Sequence, residues 1–177
     1  MAKILILIGA HLCTAPRPQK EAETLANAGH DVTIGGFWFD PDLVERDRLF
    51  IHATVPNHEL LSRISEHNIG LALEVNNIPS RNLRITNKIF QYLQAGLAVI
   101  ATNTEGQSEI LNEYPEAGQI IASHDAIALA SAINNLVNDP QKLAATKKTA
   151  LLAAEDQLNW ENQESIILRL ATQAISR

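Results

Sequence analysis

Cysteine is almost missing from this 177-residue sequence. Cys13 stands alone, so no internal disulfide can form, and a reducing, cytoplasmic setting is the simplest expectation. Long apolar runs are missing too. The stretch from Ile4 to Ile8 in "MAKILILIGAHLCTA" falls far short of the roughly 20 residues that cross a bilayer, which leaves only peripheral membrane contact open. It is short for a signal peptide as well, and Leu12 stands where a lipoprotein signal wants a small residue before the cysteine. It reads as a first buried strand. Positive charge is in the minority, with 14 Lys and Arg against 20 Asp and Glu and a net charge of -6. Phosphate backbones need clustered cations, so a broad nucleic-acid surface is excluded. No Gly-x-Gly-x-x-Gly and no P-loop follow the first strand, which removes the usual signatures of nicotinamide and ATP binding. His11, His30, His52, His58, His67 and His124 share no metal-ligand spacing, so no metal site is expected. Cys13 has no evident base beside it, which argues against a nucleophile.

What is present is alternation. "KILILIG", "HDVTIGG", "FIHATV", "IGLALEV", "LAVIAT" and "GQIIAS" are short apolar runs of strand length. Between them lie helical patterns: "PRPQKEAETLANAG" ending at Gly29, "FDPDLVERDRL" with Pro41 in its first turn, and "NHELLSRISEHN" with Leu60, Leu61 and Ile64 inward. "NKIFQYLQAG" and "GQSEILNEY" continue the pattern. After Asp125 the chain is all helical. "DAIALASAINNLVNDP" places Ile127, Leu129, Ala130, Ile133, Leu136 and Val137 on an inner stripe closed by Asp139 and Pro140, and two helices follow over 141–156 and 159–174. The fold class is therefore α/β: one Rossmann-like domain over 1–177, a doubly wound parallel sheet of about six strands with a helical C-terminal extension. Ligands of such sheets bind outside the carboxyl ends of the strands.

Of the loops at those ends, 74–86 leads into "NKIFQYLQAGLAVIATNTEGQSEIL" and 102–109 lies within it. Thr86 is placed to cap a helix whose one face carries Asn87, Lys88 and Gln91. Ile89, Tyr92 and Leu93 take the other side. Gly106 allows close backbone approach, and the helix starting near Gln107 offers free amides. Spacing alone leaves two readings open: a phosphate-gripping site, or a solvated helix face and an ordinary turn. Arg17 and Lys20, after the first strand, are a second place where a basic pair could meet a phosphate. Phe37, Trp38 and Phe39 form an aromatic clump suited to stacking or to association with a partner.

The same segment resembles the donor-binding region of GT-B retaining glycosyltransferases of group 1, family 4. Their pattern reads Asn or Ser, Lys, two residues, Glu-Tyr, then Ala-Gly-Leu-Pro-Val-Ile-Ala and a Gly-Gly-x-x-Glu loop. The likeness runs from about residue 50 to 177 and includes "VPNHELLSRISEHNIGLAL" and "LNWENQ". Residues 1–48, with "GHDV", are similar to the start of the acceptor-side domain, and the two pieces meet near "FWFDPDLVERDRLF". The family departs from this sequence at Gln91, where it has a ribose-holding glutamate, at Leu83, near which its first glutamate falls, at Ala98 for proline, and at Glu105 for glycine. A neutral amide at 91 still bonds a diol but without charge assistance.

The resemblance implies a nucleoside-diphosphate sugar as substrate, no cofactor, and transfer of the sugar to an acceptor hydroxyl. Lys88 would stabilise the leaving diphosphate. Asn87, Gln91, Gly106, Gln107 and Glu109 would hold the donor, with Arg17 and Lys20 as further phosphate contacts. The alternative reading is a non-catalytic nucleotide-binding or protein-docking module derived from such an enzyme. A partner domain or a second copy of the chain would then complete it.

Overall fold

The structure, a computed structural model, describes residues 2–11, 16–37, 49–52 and 55–175. Six strands form a single sheet: β1 Lys3–His11, β2 Asp31–Phe37, β3 Leu49–His52, β4 Ile69–Ala72, β5 Ala98–Thr102 and β6 Gly118–Ile121. Their order is β3-β2-β1-β4-β5-β6, and every pairing is parallel. Among the described residues the helices are α1 Pro16–Asn27, α2 Asn57–Ser65, α3 Pro79–Asn82, α4 Asn87–Gln94, α5 Glu105–Glu113, α6 Ala126–Val137, α7 Pro140–Asp156 and α8 Trp160–Ile175. The expected α/β sheet of six strands is what forms. No described helix is long and apolar enough to cross a membrane.

Strand side chains alternate between two cores, which is why the strands read as unbroken apolar runs. Ile4, Ile6, Val32, Ile34, Ile69, Leu71, Ala98 and Ile100 meet Ala22 and Leu25 of α1 and Leu129, Ala132, Ile133 and Leu136 of α6. On the other face Leu5, Ala72, Val99 and Ala101 meet Ile64 of α2, Ile89, Tyr92 and Leu93 of α4, Ile110 and Leu111 of α5, and Ala150 and Ala154 of α7.

The strand order reverses between β1 and β4, and one side chain marks the place. The β1–β4 ladder pairs Ile4 with Ile69 and Leu5 with Gly70. Beyond it the Leu7 amide donates to the Tyr92 hydroxyl at 3.1 Å, and that hydroxyl donates to the Leu71 carbonyl at 3.4 Å. The ring lies against Gly70, where a Cβ would come within 2.4 Å of Tyr92 Cγ. Burial pushes the phenol far above its ordinary pKa, so it keeps the proton it donates. α4 is thus pinned directly under the crevice that a doubly wound sheet opens at its switch point.

Several local expectations are corrected. Leu61 is exposed, and α2 buries Ile64 fully and Leu60 in part. Ile127 is 82% exposed and Ala130 is also exposed. The stripe of α6 is set by Leu129, Ala132, Ile133 and Leu136, and Ile127 lies about half a turn around the helix from it. The polar run after β4 contains the short helix α3. The helix expected in "FDPDLVERDRL" lies outside the described residues, apart from its final leucine in β3, as do Cys13, Trp38 and Phe39.

Candidate functional site at the ends of the central strands

Glu74 emerges two residues past β4, and Lys88 is the second residue of α4. Their side chains meet, with Lys88 Nζ 2.8 Å from Glu74 Oε1. Both are largely enclosed, at 20% and 12% side-chain exposure. A cation in the first turn of a helix opposes the helix dipole. Here the carboxylate compensates, and the ammonium is held at the carboxyl end of the sheet.

The backbone of Glu74 is anchored at three points. Its amide donates to Thr102 Oγ1 and its carbonyl accepts from the same hydroxyl, both at 2.8 Å. Ser123 Oγ also donates to that carbonyl at 3.2 Å, and the Ser123 amide donates to Asn103 Oδ1 at 3.0 Å. The ends of β4, β5 and β6 are therefore laced into one polar platform.

The start of α4 borders this platform. Thr86 has extended N-cap geometry, yet its side chain makes no capping bond, contrary to expectation. The Ile89 amide, which a capping hydroxyl would serve, donates to the Thr86 carbonyl at 3.2 Å instead. Thr86 Oγ1 is buried and has no partner among the described residues. The amides of Asn87 and Lys88 likewise have none.

The start of α5 is different. Thr104 Oγ1 accepts from the Gln107 amide at 3.3 Å, the Glu105 amide donates to Asn82 Oδ1 at 3.1 Å, and Asn82 Nδ2 donates to Glu105 Oε1 at 2.8 Å. Glu105 sets a negative charge at the positive end of the helix. Gly106 is required because a Cβ there would lie 2.7 Å from the Arg84 carbonyl carbon and 2.8 Å from the Leu83 and Arg84 oxygens. The close approach allowed by this glycine is to the protein's own backbone.

The residues expected at the site separate accordingly. Lys88 stands at the crevice, half-buried like Gln91, and Asn87 is exposed beside them. Gln107 is fully buried, and its side-chain amide donates to Thr102 Oγ1 and Thr104 Oγ1, each at 3.2 Å. It braces the end of β5, and its Oε1 is buried with no partner among the described residues. Glu109 is exposed, and its side chain makes no hydrogen bond among the described residues. Arg17 and Lys20 lie on α1, and their side chains fall outside the described residues. Leu83 is 65% exposed. The carboxylate that does stand beside Lys88 is that of Glu74, which sequence reasoning did not single out. Its only signal was an acidic residue at the end of an otherwise apolar strand.

A doubly wound parallel sheet of this kind is a Rossmann-like fold, here with a lysine held at the carboxyl end of β4. Residues 71–139, which carry Glu74, Lys88 and Gln91, match the family model described as glycosyl transferases group 1. The resemblance read from the sequence therefore holds. Sucrose-phosphate synthase from Thermosynechococcus elongatus is similar to this chain, with a TM-score of 0.74 and 18% identity over 99% of this chain and 46% of that one. Anabaena Alr3699/HepE in complex with UDP-glucose follows at 0.70 and 15%, over 96% and 48%. The C-terminal domain of the group 1 protein LpcC from Francisella tularensis gives 0.64 and 13%, over 89% and 87%. At these identities the likeness is one of fold. The chain spans about half the length of the first two proteins. No curated protein matches the sequence.

Proposed function

We propose that this chain binds a nucleoside-diphosphate sugar at the crevice between β1 and β4, as the donor side of a retaining sugar transfer to an acceptor hydroxyl. One observation carries the reading. The Lys88 ammonium is fixed at the carboxyl end of β4, next to helix amides and a buried hydroxyl that have no partners among the described residues. A diphosphate supplies what such a place lacks: negative charge and several strong acceptor oxygens. In the transfer step, charge grows on the leaving diphosphate, and a preplaced cation stabilises that charge more than the ground state. Gln91, one turn along α4, would meet the ribose hydroxyls, and Asn87 would flank the phosphates. The Anabaena protein was solved with UDP-glucose and with UDP, which is consistent with this ligand class. In this reading residues 1–48 stand for the start of an acceptor domain, 50–177 form the donor part, and the setting is the cytoplasm.

A second reading, a docking module without catalysis, has its own support. The start of α5 is closed by Asn82, Thr104 and Glu105, and α8 exposes Trp160, Ile166, Ile167 and Leu168. Calorimetric titration with UDP- and GDP-sugars separates the two. Binding by the wild type that disappears in Lys88→Ala, with the fold intact by circular dichroism, supports the donor site. Silence at millimolar nucleotide together with concentration-dependent self-association supports docking.

A further inference from the structure

We propose that Glu74 is an internal counter-ion that sets the specificity of this site, holding the Lys88 ammonium and making any anionic ligand compete with a built-in carboxylate for it. The proposal rests on the reading of Lys88 as the phosphate-facing cation, and it adds a residue that neither the motif nor the spacing pointed to.

Three observations converge on this role. First, the contact is short, 2.8 Å, and both side chains are at least four-fifths enclosed, so the charges are coupled in a medium that screens them less than water. Second, the backbone that carries the carboxylate is anchored. Thr102 Oγ1 grips both backbone polar groups of Glu74, and Ser123 Oγ adds a third bond. The counter-ion therefore stays within reach of whatever the lysine meets. Third, the neighbouring anion-ready helix start, that of α5, is already occupied by the Glu105 carboxylate and Asn82. Among the described residues, the cation seated on this platform is Lys88, and it is neutralised in advance.

The consequence is a threshold. A ligand with a single weak charge gains little by sharing the ammonium with Glu74 and meets its repulsion. A pyrophosphate, with dense charge and several oxygens, can share the ammonium and also take the open amides of Asn87 and Lys88. Glu74 lowers the affinity for all anions and lowers it most for those that cannot reach the amides as well. The paired ammonium also keeps one orientation while the site is empty, so the ligand meets an ordered cation.

A role confined to stability predicts something else. Removing the carboxylate would then loosen the platform and weaken binding or leave it unchanged. It could not tighten binding.

The test compares wild type, Glu74→Gln and Lys88→Gln by titration with inorganic pyrophosphate and with UDP at low ionic strength. Glu74→Gln should bind pyrophosphate about ten-fold more tightly than wild type, the effect of removing one unit charge at an effective dielectric of about 20 after partial screening. Its affinity should fall more steeply with added salt, and Lys88→Gln should abolish the gain when combined with it. Pyrophosphate affinity in Glu74→Gln equal to or below that of wild type overturns the counter-ion. Should Glu74→Gln fail to fold, Glu74→Asp draws the carboxylate back by one methylene and should bind pyrophosphate a few-fold more tightly, and an unchanged or weaker affinity overturns the proposal in the same way. The UDP arm isolates the underlying reading. If UDP never exceeds pyrophosphate in any variant, the nucleoside part of the donor site is wrong, while the ratio between Glu74→Gln and wild type still decides the role of Glu74.

Discussion

α4 and α5 begin alike and end up in different chemical states. Both start at the carboxyl end of the same sheet, both have threonine at the N-cap, and the two cap residues share nearly the same backbone angles, φ -86 and ψ 144 against φ -80 and ψ 152. Thr104 caps its helix through its side chain, and Thr86 does not. The first amide of α5 is taken by Asn82 and its first residue is an acid, whereas α4 leaves its first two amides without partners among the described residues and carries a lysine. One helix start is closed by the protein. The other is left with donors that a ligand can use. Backbone geometry does not distinguish a capped end from a binding end; what faces the end does.

The closed end breaks most sharply at Gly106. Gly106→Val pushes a branched side chain into the backbone of Leu83 and Arg84, and should lower stability by about 3 kcal/mol in denaturant unfolding. If the variant unfolds at the wild-type midpoint, α5 is not packed on that segment. The two threonines give a finer contrast. Thr104→Ala removes a cap and an acceptor for Gln107, and should cost about 1–2 kcal/mol. Thr86→Val removes a buried hydroxyl that has no partner among the described residues, so stability should stay within about 0.5 kcal/mol of wild type or rise. In UDP titrations the order should invert, with Thr86→Val losing affinity and any properly folded Thr104→Ala retaining it. Equal losses of stability in the two variants would erase the distinction between the helix starts.

The smallest effect is expected at the opposite, amino-terminal edge of the sheet. His30 is buried just before β2, its Nδ1 has no partner among the described residues, and burial holds its pKa below the usual value. The unfolded chain takes up the proton near pH 6.5 and the folded chain resists it. The stability contribution is therefore complete above about pH 6.5 and is lost as pH falls below it. His30→Gln should flatten melting temperature against pH between about 6.5 and 5. The same substitution should leave both helix starts, and nucleotide affinity at pH 7.5, unchanged.

Much of the architecture was legible because it depends on local pattern. Apolar runs of strand length, alternating with helices that end at Gly29 and Gly96, are enough to imply a parallel sheet covered on both faces. Both glycines indeed have positive φ, 88° and 66°. Ile89, Tyr92 and Leu93 were readable as the inner side of α4, and all three are fully buried. The site was only half legible. Lys88 and Gln91 could be placed on a helix face near the strand ends, since 3.6-residue periodicity governs both. Gln107 could not be read as a core residue, because its burial depends on Thr102 and Thr104 presenting hydroxyls to it. Gly106 looked like a loop glycine made for a ligand, and its real neighbour is backbone from more than twenty residues earlier. Glu74 carries no local signal for a related reason: nothing within four residues of it predicts a lysine across the crevice.

By itself the order of residues determined the period of each segment, the places where helices stop, the absence of a disulfide and the family likeness of the central segment, since all of these are set by neighbours along the chain. The tertiary structure alone decided which charges pair, which helix start is closed and which polar side chains are walled in. Those outcomes depend on electrostatic and hydrogen-bonding partners that meet only when separate strand ends are brought to one edge of the sheet.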